Sequence, residues 1–229
     1  MKPIAYFHSA FPTKFGIPRQ SGIVAELRGR IVFTPEYRNL DALRGLNGFD
    51  YLWIIWEFSA NRSRKERGAT SWQPTVRPPL LGGNTQMGVF ATRSPYRPNP
   101  IGLSSARIER IEQSSTEGPI IHVLGADLMD STPIYDIKPY VTYADSHPDA
   151  RSGFVDEHHW QKLTVEFPLH LQSYFTAESL KALIHVLSLD PRPHYQDDPT
   201  KVYGMPYEGY DIRFQVKDTV LTVTDVARL

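Results

Sequence analysis

Residues 91–104, ATRSPYRPNPIGLS, combine three prolines with two arginines between two apolar runs. Proline fixes its own φ angle and restricts the residue before it, so this segment is predicted to be a stiff loop. Such a loop would hold Arg93 and Arg97 in place for an anionic partner, which lowers the entropy cost of binding. The guanidinium is a rigid five-donor group that suits phosphate, carboxylate or a nucleobase edge. Gly102 would let the backbone approach a ligand closely. The alternative is a proline-rich connector whose arginines are merely solvated.

A second segment, residues 130–140, reads DSTPIYDIKPY and brings carboxylates, hydroxyls, a lysine and two tyrosines together. Asp136 and Lys138 are two positions apart, so they share a face if the segment is extended. A paired aspartate stays ionised and can serve as an acceptor or a base. An ordinary surface ion pair is the alternative. The aspartate and two hydroxyl residues that open the segment are also typical of a turn that bonds its own backbone.

A third loop, residues 15–22, reads FGIPRQSG and presents Arg19, Gln20 and Ser21 just before a predicted strand. Taken alone, this pattern is a weak indication of a site. The aromatic side chains of residues 51–58 are interpreted as core rather than as a stacking platform, because they fall in a continuous apolar run.

The composition limits the chemistry and the location. The chain has 229 residues, 41% of them hydrophobic, which is enough to bury a real core. The absence of cysteine excludes disulfides, thiolate chemistry and a zinc deaminase site. With no signal-like stretch after Met1 and no run of transmembrane length, a cytoplasmic location without membrane contact is expected. No metal site is expected, since the adjacent His158 and His159 diverge in either regular structure.

Charge is distributed unevenly along the chain. The formal net charge is zero, yet residues 62–110 contain nine basic side chains and two acidic ones. This surplus predicts a basic face suited to a polyanion, although zero net charge argues against a generic nucleic-acid coat. For residues 62–67 alone, a solvated charge run is an equally good interpretation.

Short strands dominate the first half of the sequence. Alternation over residues 22–33 predicts a half-buried strand, and the apolar run 51–58 predicts a strand buried on both sides. Residues 39–46 are predicted to form one short helix, ended by an Asn-Gly turn. Further strands are predicted at 87–92, 103–111 and 120–128. Many short strands between glycine- and proline-bearing loops favour a mainly β protein with a closed barrel over βαβ units.

The pattern breaks at residues 146–154, where we expect a domain boundary. This divides the chain into a barrel domain, residues 1–150, and a small α+β domain, residues 151–229. In the second part Thr176 is predicted to cap a helix, and residues 211–226 alternate as in a hairpin.

The segments RQSG, YLWIIWEFSAN, FATRSPYRPNPIGLS, DSTPIYDIKPY, DPRP and YDIRFQV together closely resemble the TrmO family. Its members are tRNA methyltransferases that act on N6-threonylcarbamoyladenosine beside the anticodon, and the segment order is similar to that of enterobacterial members. The resemblance implies a single-sheet β-barrel that binds S-adenosylmethionine without a Rossmann fold, and a small C-terminal domain. It also implies a homodimer with the cofactor near the subunit interface, threonine tRNA as substrate, and improved decoding as the result.

Carried onto this sequence, the resemblance places the cofactor among four segments. These are Arg19, Gln20 and Ser21; Phe58 and Ser59; Arg93, Tyr96 and Arg97; and Met129, Asp130, Ser131 and Thr132. Many family members have histidine after the phenylalanine, where this chain has Ser59. Any role of that histidine in cofactor contact or proton transfer is therefore in question here.

The acceptor nitrogen sets a second requirement. In this nucleoside it is a ureido N–H whose lone pair is delocalised, so it is a poor nucleophile until its proton leaves. We expect Asp136 to act as general base, with Tyr140 or a water second. Arg93 and Arg97 are expected to bind carboxylates of the cofactor or threonyl group and nearby phosphates. The expected tRNA contacts are Arg62, Arg64, Lys65, Arg67, Arg77 and Lys138.

Two other functions fit parts of this pattern. A non-catalytic RNA-binding barrel would bind RNA without the cofactor. A methyltransferase with another acceptor would bind the cofactor but not tRNA. DNA is not an expected partner in any of these interpretations.

Overall fold

Six of the strands that the structure describes close into a barrel. The computed structural model covers residues 1–61, 72–192 and 198–229. The first eight strands are β1 (Ala5–Ser9), β2 (Arg28–Phe33), β3 (Tyr51–Glu57), β4 (Thr75–Val76), β5 (Met87–Gly88), β6 (Ile101–Ser114), β7 (Gly118–Leu124) and β8 (Thr132–Pro139). The barrel order is β1-β2-β7-β6-β3-β8, and every pair is antiparallel. The prediction of a mainly β protein with a closed barrel is confirmed.

The C-terminal part contains a four-stranded sheet and one longer helix. Its strands are β9 (Thr164–Glu166), β10 (Tyr203–Tyr207), β11 (Tyr210–Lys217) and β12 (Val220–Arg228), in the order β10-β11-β12-β9. The α-helices are α1 (Thr142–Asp145), α2 (Phe154–Glu157), α3 (Leu169–Gln172) and α4 (Ala177–Ser188). Short 3₁₀ helices lie at Pro35–Tyr37, Leu40–Leu43, Leu46–Gly48, Ser59–Asn61, Pro79–Leu81 and Val89–Ala91. Among the described residues, no helix has the length and apolar character needed to cross a membrane.

Helix α4 begins where the sequence predicts. The Thr176 hydroxyl accepts a hydrogen bond from the backbone N–H of Ser179 at 3.2 Å, which satisfies one of the unpaired donors of the first turn. The predicted hairpin of the C-terminal part is also confirmed, as β11 and β12 pair around a turn at Asp218.

Strand β3 differs from its prediction. It is buried on one face only: Leu52, Ile54 and Trp56 point into the barrel, while the residues between them are exposed or half-buried. A barrel strand has one face in the core and one outside, so an apolar run here does not mean burial on both sides. The outer face of β3 is therefore available to a site.

Four other predicted elements are shorter than expected, among them the strand expected at 120–128, which ends at Leu124. The strand expected at 22–33 begins at Arg28, and that expected at 87–92 ends at Gly88 before a 3₁₀ turn. The single helix expected at 39–46 is two 3₁₀ helices, separated by Gly45 with a φ of 88°.

Residues 10–27, which we call the bridging segment, explain the late start of β2. Phe11, Val24 and Leu27 are at most 3% exposed, and they belong to the core formed by α4 and the C-terminal sheet. The backbone carbonyl of Ala10 accepts a hydrogen bond from Glu208 N–H at 2.9 Å. The bridging segment thus packs into the C-terminal core although it lies between two barrel strands in sequence.

Candidate active site

A cavity of about 500 Å³ opens where the bridging segment meets β3, β6 and the loop at residues 92–97. It brings together most of the side chains that the family resemblance assigns to the cofactor. Those lining the cavity are Arg19, Gln20, Phe58, Ser59, Arg93, Tyr96, Arg97, Met129 and Thr132. Ser21, Asp130 and Ser131 do not line it.

Asp130 and Ser131 form a turn beside the cavity. The Asp130 carboxylate accepts hydrogen bonds from the backbone N–H of Ser9 at 3.1 Å and from the Ser131 hydroxyl at 2.9 Å. Ser131 has a φ of 61°, in the left-handed region. This geometry matches the turn interpretation of the segment that opens at Asp130.

The proline-rich loop uses its two arginines differently. Arg97 Nη1 donates to the backbone carbonyls of Val89 at 3.1 Å and Thr92 at 2.7 Å, which fixes the loop from inside. Arg93 donates to the side chain of Gln20 and so joins the loop to the bridging segment. Arg93 is the more exposed of the two.

Arg19 is anchored to the C-terminal part of the molecule. Its guanidinium carbon lies 3.5 Å from the centroid of the Trp160 ring, a cation–π contact. Nη1 donates to the carbonyl of Leu189 at 3.2 Å, and Nη2 donates to the carbonyl of Asp190 at 3.4 Å. Desolvation lowers the pKa of Arg19, and the charge of Asp190 opposes this. Arg19 therefore fixes one cavity wall to the C-terminal domain.

An aromatic wall of Trp53, Trp56 and Phe58 also lines the cavity. The resemblance assigns Phe58 to the cofactor, and Trp56 is core as expected, at 7% exposure. The place of Trp53 was missed, because it was expected to be core. The Trp56 and Phe58 ring centroids lie 4.3 Å apart. Gly102 serves this wall: a Cβ there would lie 2.2 Å from Cε2 of Trp56, so glycine makes room for that ring, and Gly102 itself lines the cavity.

Asp127 is the second residue that sequence reasoning missed. Its Oδ1 accepts a hydrogen bond from the Ser104 hydroxyl at 2.6 Å, and that hydroxyl accepts one from Trp56 Nε1 at 3.0 Å. Desolvation raises the pKa of Asp127, while the Ser104 hydrogen bond and the charge of Arg93 oppose the rise. A signal existed in the sequence, since Asp127 stands between two apolar residues in GADL.

Comparison with known proteins places the chain in a family. The model of the tRNA-methyltransferase O N-terminal domain matches residues 6–146, and that of the TrmO C-terminal domain matches residues 160–229. The chain belongs to the tRNA-methyltransferase O family. The resemblance stated from the sequence is thereby confirmed.

Relatives of this TrmO-family chain span bacteria and mammals. It is 37% identical over 223 residues to the tRNA (adenine(37)-N6)-methyltransferase of Escherichia coli (strain K12), covering 94% of this chain and 92% of that protein. The mouse protein of the same name is 39% identical over 163 residues, covering 68% of this chain and 34% of that protein. A crystal structure of TrmO from Pseudomonas aeruginosa superposes with a TM-score of 0.74 at 31% identity, over 99% of this chain and 97% of that one.

In this TrmO-family structure, Asp136 and Tyr140 do not line the cavity. Lys138 Nζ lies 3.2 Å from Asp136 Oδ2, so the prediction that these two residues share a face is confirmed. Lys138 pairs in register with Trp53, and the Tyr140 ring centroid lies 5.6 Å from that of Trp53. The three side chains thus lie on the outside of the barrel, with Trp53 between them and the cavity.

The basic residues expected to contact tRNA are only partly described. Four of them, Arg62, Arg64, Lys65 and Arg67, lie outside the described residues. Arg77 is exposed and lines a cleft beside the cavity. Across the described ranges, His, Asp and Glu side chains form no group of three that could hold a metal ion.

Proposed function

We propose that this protein transfers a methyl group from S-adenosylmethionine to N6 of N6-threonylcarbamoyladenosine next to the anticodon of threonine tRNA. As a TrmO-family member, the chain is an S-adenosylmethionine-dependent tRNA methyltransferase. The observation that supports this cavity as the methyl-transfer site is the placement of Asp127 and Arg93 in its wall, together with a stiff, proline-rich loop.

The cavity wall fits the two ends of the cofactor. The methionyl end carries an ammonium and a carboxylate, which a carboxylate and a guanidinium in the same wall recognise through charge-assisted hydrogen bonds. Asp127 and Arg93 provide that pair. The aromatic wall of Trp53 and Phe58 suits the adenosyl end, since ligand cavities combine apolar surface with few polar groups. A cavity of about 500 Å³ suits one ligand of this size.

When bound, S-adenosylmethionine supplies an electrophilic methyl group carried by a sulfonium. The chain's own residues then have to position the acceptor and accept its proton. Arg97 and the prolines keep the loop in one conformation, which reduces the entropy lost on binding. We propose Asp136 as the base, with Tyr140 second. This role requires the acceptor to approach along the outer face of β3, past Trp53.

We also propose a homodimer with the cavity near the subunit interface. Leu103 is 56% exposed and Ile101 is 37% exposed, and both line the cavity on the outer face of β6. Clustered exposed apolar side chains are typical of interaction surfaces. Sedimentation analysis should give twice the chain mass, and Leu103→Glu should give a monomer. A monomeric wild-type protein would contradict this proposal.

The two parts of the chain have different proposed roles. We propose that residues 1–150 form the methyltransferase domain and that residues 151–229 form a small domain that supports it through the bridging segment. A cytoplasmic location is proposed because that is where the tRNA substrate is found.

Labelled S-adenosylmethionine and two tRNA pools test the activity and the substrate together. One pool carries the threonylcarbamoyl group and the other lacks it. Label should appear only in the modified adenosine of the first pool. No label in either pool, despite measurable cofactor binding, would overturn the proposed substrate and point to another methyl acceptor. RNA binding without cofactor binding would instead favour a non-catalytic RNA-binding barrel.

A further inference from the structure

A second cleft of about 520 Å³ lies against the bridging segment. It shares four lining residues with the cavity: Lys14, Ile17, Pro18 and Arg19. Its other walls come from residues 77–84 and from the end of α4 with the residues that follow it. A ligand that extends out of the cavity across the bridging segment therefore enters this cleft.

The cleft combines an apolar wall with a basic rim. The half-buried side chains of Phe15, Ile17 and Leu189 provide apolar surface. Lys14 and Arg77 are exposed, and neither makes an ion pair or a side-chain hydrogen bond with another described residue. Their charges are thus available to a ligand, unlike that of Arg97, whose Nη1 is bound by its own loop.

Asp190 and Arg192, which also line the cleft, neutralise each other. Arg192 Nε and Nη2 donate to the two carboxylate oxygens of Asp190, each at 2.9 Å. On the opposite rim, a Cβ at Gly82 or Gly83 would meet no atom of the described residues within 4 Å. The net charge offered to a ligand is therefore positive and comes from Lys14 and Arg77, because Arg19 is held by Trp160 and by the carbonyls of Leu189 and Asp190.

Single-stranded RNA is recognised by surfaces of this kind, where apolar or aromatic side chains contact a base and cations contact the backbone. We propose that the cleft binds the nucleotide adjacent to the acceptor in the same RNA strand, with its base on the apolar wall and its phosphate on Arg77 and Lys14. This inference rests on the proposed function, because it takes the cavity as the methyl-transfer site. Continuity of the two walls through the bridging segment is what relates the cleft to the acceptor.

The test measures binding of a fluorescently labelled anticodon stem-loop RNA at several salt concentrations, with the full-length protein saturated with S-adenosylmethionine. Arg77→Ala removes a phosphate contact, and Asn84→Trp blocks the cleft from an exposed position without changing its charge. Arg44→Ala is the matched control, since Arg44 is exposed and lines neither the cavity nor the cleft.

We expect Arg77→Ala to weaken RNA binding by about tenfold, as for loss of a charged hydrogen bond, and to reduce the salt slope by about 1. Asn84→Trp should weaken binding with the slope unchanged. Both variants should keep the wild-type affinity for S-adenosylmethionine by calorimetry and the wild-type melting temperature. The Arg44 variant should match wild type in every measurement.

Wild-type RNA affinity in both cleft variants would overturn the inference, while methylation of tRNA by the same preparations would leave the proposed function standing. Wild-type protein that binds the RNA but transfers no methyl group would instead overturn the proposed function. In that case weaker binding by the cleft variants would still support the cleft as an RNA site.

Discussion

The two hydrophobic cores of this molecule differ in how they are assembled from the chain. The barrel core comes from neighbouring antiparallel strands and their connections within residues 5–134. The C-terminal core includes Phe11, Val24 and Leu27, which lie more than 100 positions away in sequence from its other members. The barrel thus closes on itself, whereas the C-terminal core is completed by a segment that also forms a cavity wall.

The barrel therefore serves the proposed chemistry, and the C-terminal core positions the bridging segment. The barrel side contributes the groups proposed for chemistry, Asp127, Arg93 and Asp136. The C-terminal side contributes the groups that hold the bridging segment, through the core and through Arg19 with its carbonyl contacts. Variants on the two sides should therefore change different quantities.

Phe11→Ala should have the largest effect on stability. Phe11 is 2% exposed and its ring centroid lies 5.4 Å from that of Tyr207, edge to face. Its removal should lower the free energy of unfolding by about 3–5 kcal/mol, measured by urea titration. Tyr143→Ala, at a residue that is 92% exposed, is the aromatic control and should have little effect. A loss below about 1 kcal/mol for Phe11→Ala would show that the bridging segment does not complete the C-terminal core.

Asp136→Asn should separate chemistry from positioning. Loss of a general base typically lowers turnover by about 100-fold or more, and cofactor affinity should not change. Arg19→Ala should show the reverse pattern, with a raised KM for S-adenosylmethionine and a smaller change in kcat, because a cavity wall is displaced. Steady-state kinetics with modified tRNA gives both quantities. Near-normal turnover of Asp136→Asn would remove Asp136 as the base.

Gly102→Ala tests the packing of the barrel core around Trp56. The added Cβ would meet the Trp56 ring, so the free energy of unfolding should fall by about 1–3 kcal/mol. Gly48→Ala is the control, because a Cβ there would meet nothing within 4 Å. Equal melting curves for the two variants would mean that the Trp56 ring moves aside without cost.

Glu26→Gln should give the smallest effect and a definite pH dependence. Desolvation raises the pKa of Glu26, but hydrogen bonds from His185 and Lys181 outweigh it, so the pKa lies below its ordinary value. The stabilisation is therefore present above the ordinary carboxyl pKa and is lost as the pH falls through the lowered one. Near neutral pH the variant should lose at most about 1 kcal/mol.

The difference between Glu26→Gln and wild type should disappear in acid, where the wild-type carboxyl is protonated. Urea titrations of both proteins at neutral and at acidic pH measure this. A constant difference across that range would show that the contact between Glu26 and helix α4 does not depend on ionisation.

The features that the sequence predicted correctly are those determined by local residue patterns. Alternation indicated strand β2 and the C-terminal hairpin, the Thr176 hydroxyl indicated the start of α4, and the spacing of Asp136 and Lys138 indicated a shared face. These features depend on residues a few positions apart. The TrmO resemblance added most of the cavity residues, because similarity of motifs predicts which residues share a site, whereas hydrophobic periodicity predicts only secondary structure.

The features that the sequence patterns did not predict depend on contacts between residues that are distant in the chain. At residues 22–27 the buried side chains are Val24 and Leu27, which belong to the C-terminal core, while Ala25, expected to point inward on a strand, is exposed. Asp127 acquires its setting only when Ser104 and Arg93 are brought beside it. Trp53 lines the cavity because closure of the barrel leaves one face of β3 outside, which an apolar run does not reveal.

Calorimetry with two ligands tests the central claim that Asp127 and Arg93 recognise the amino-acid end of the cofactor. Asp127→Asn should bind S-adenosylmethionine about tenfold more weakly, as for loss of a charged hydrogen bond, and should bind methylthioadenosine, which lacks the amino-acid group, as wild type does. Asp136→Asn, the matched carboxylate control, should bind both ligands normally. Unchanged affinity of Asp127→Asn for S-adenosylmethionine, or an equal loss for both ligands, would contradict the account.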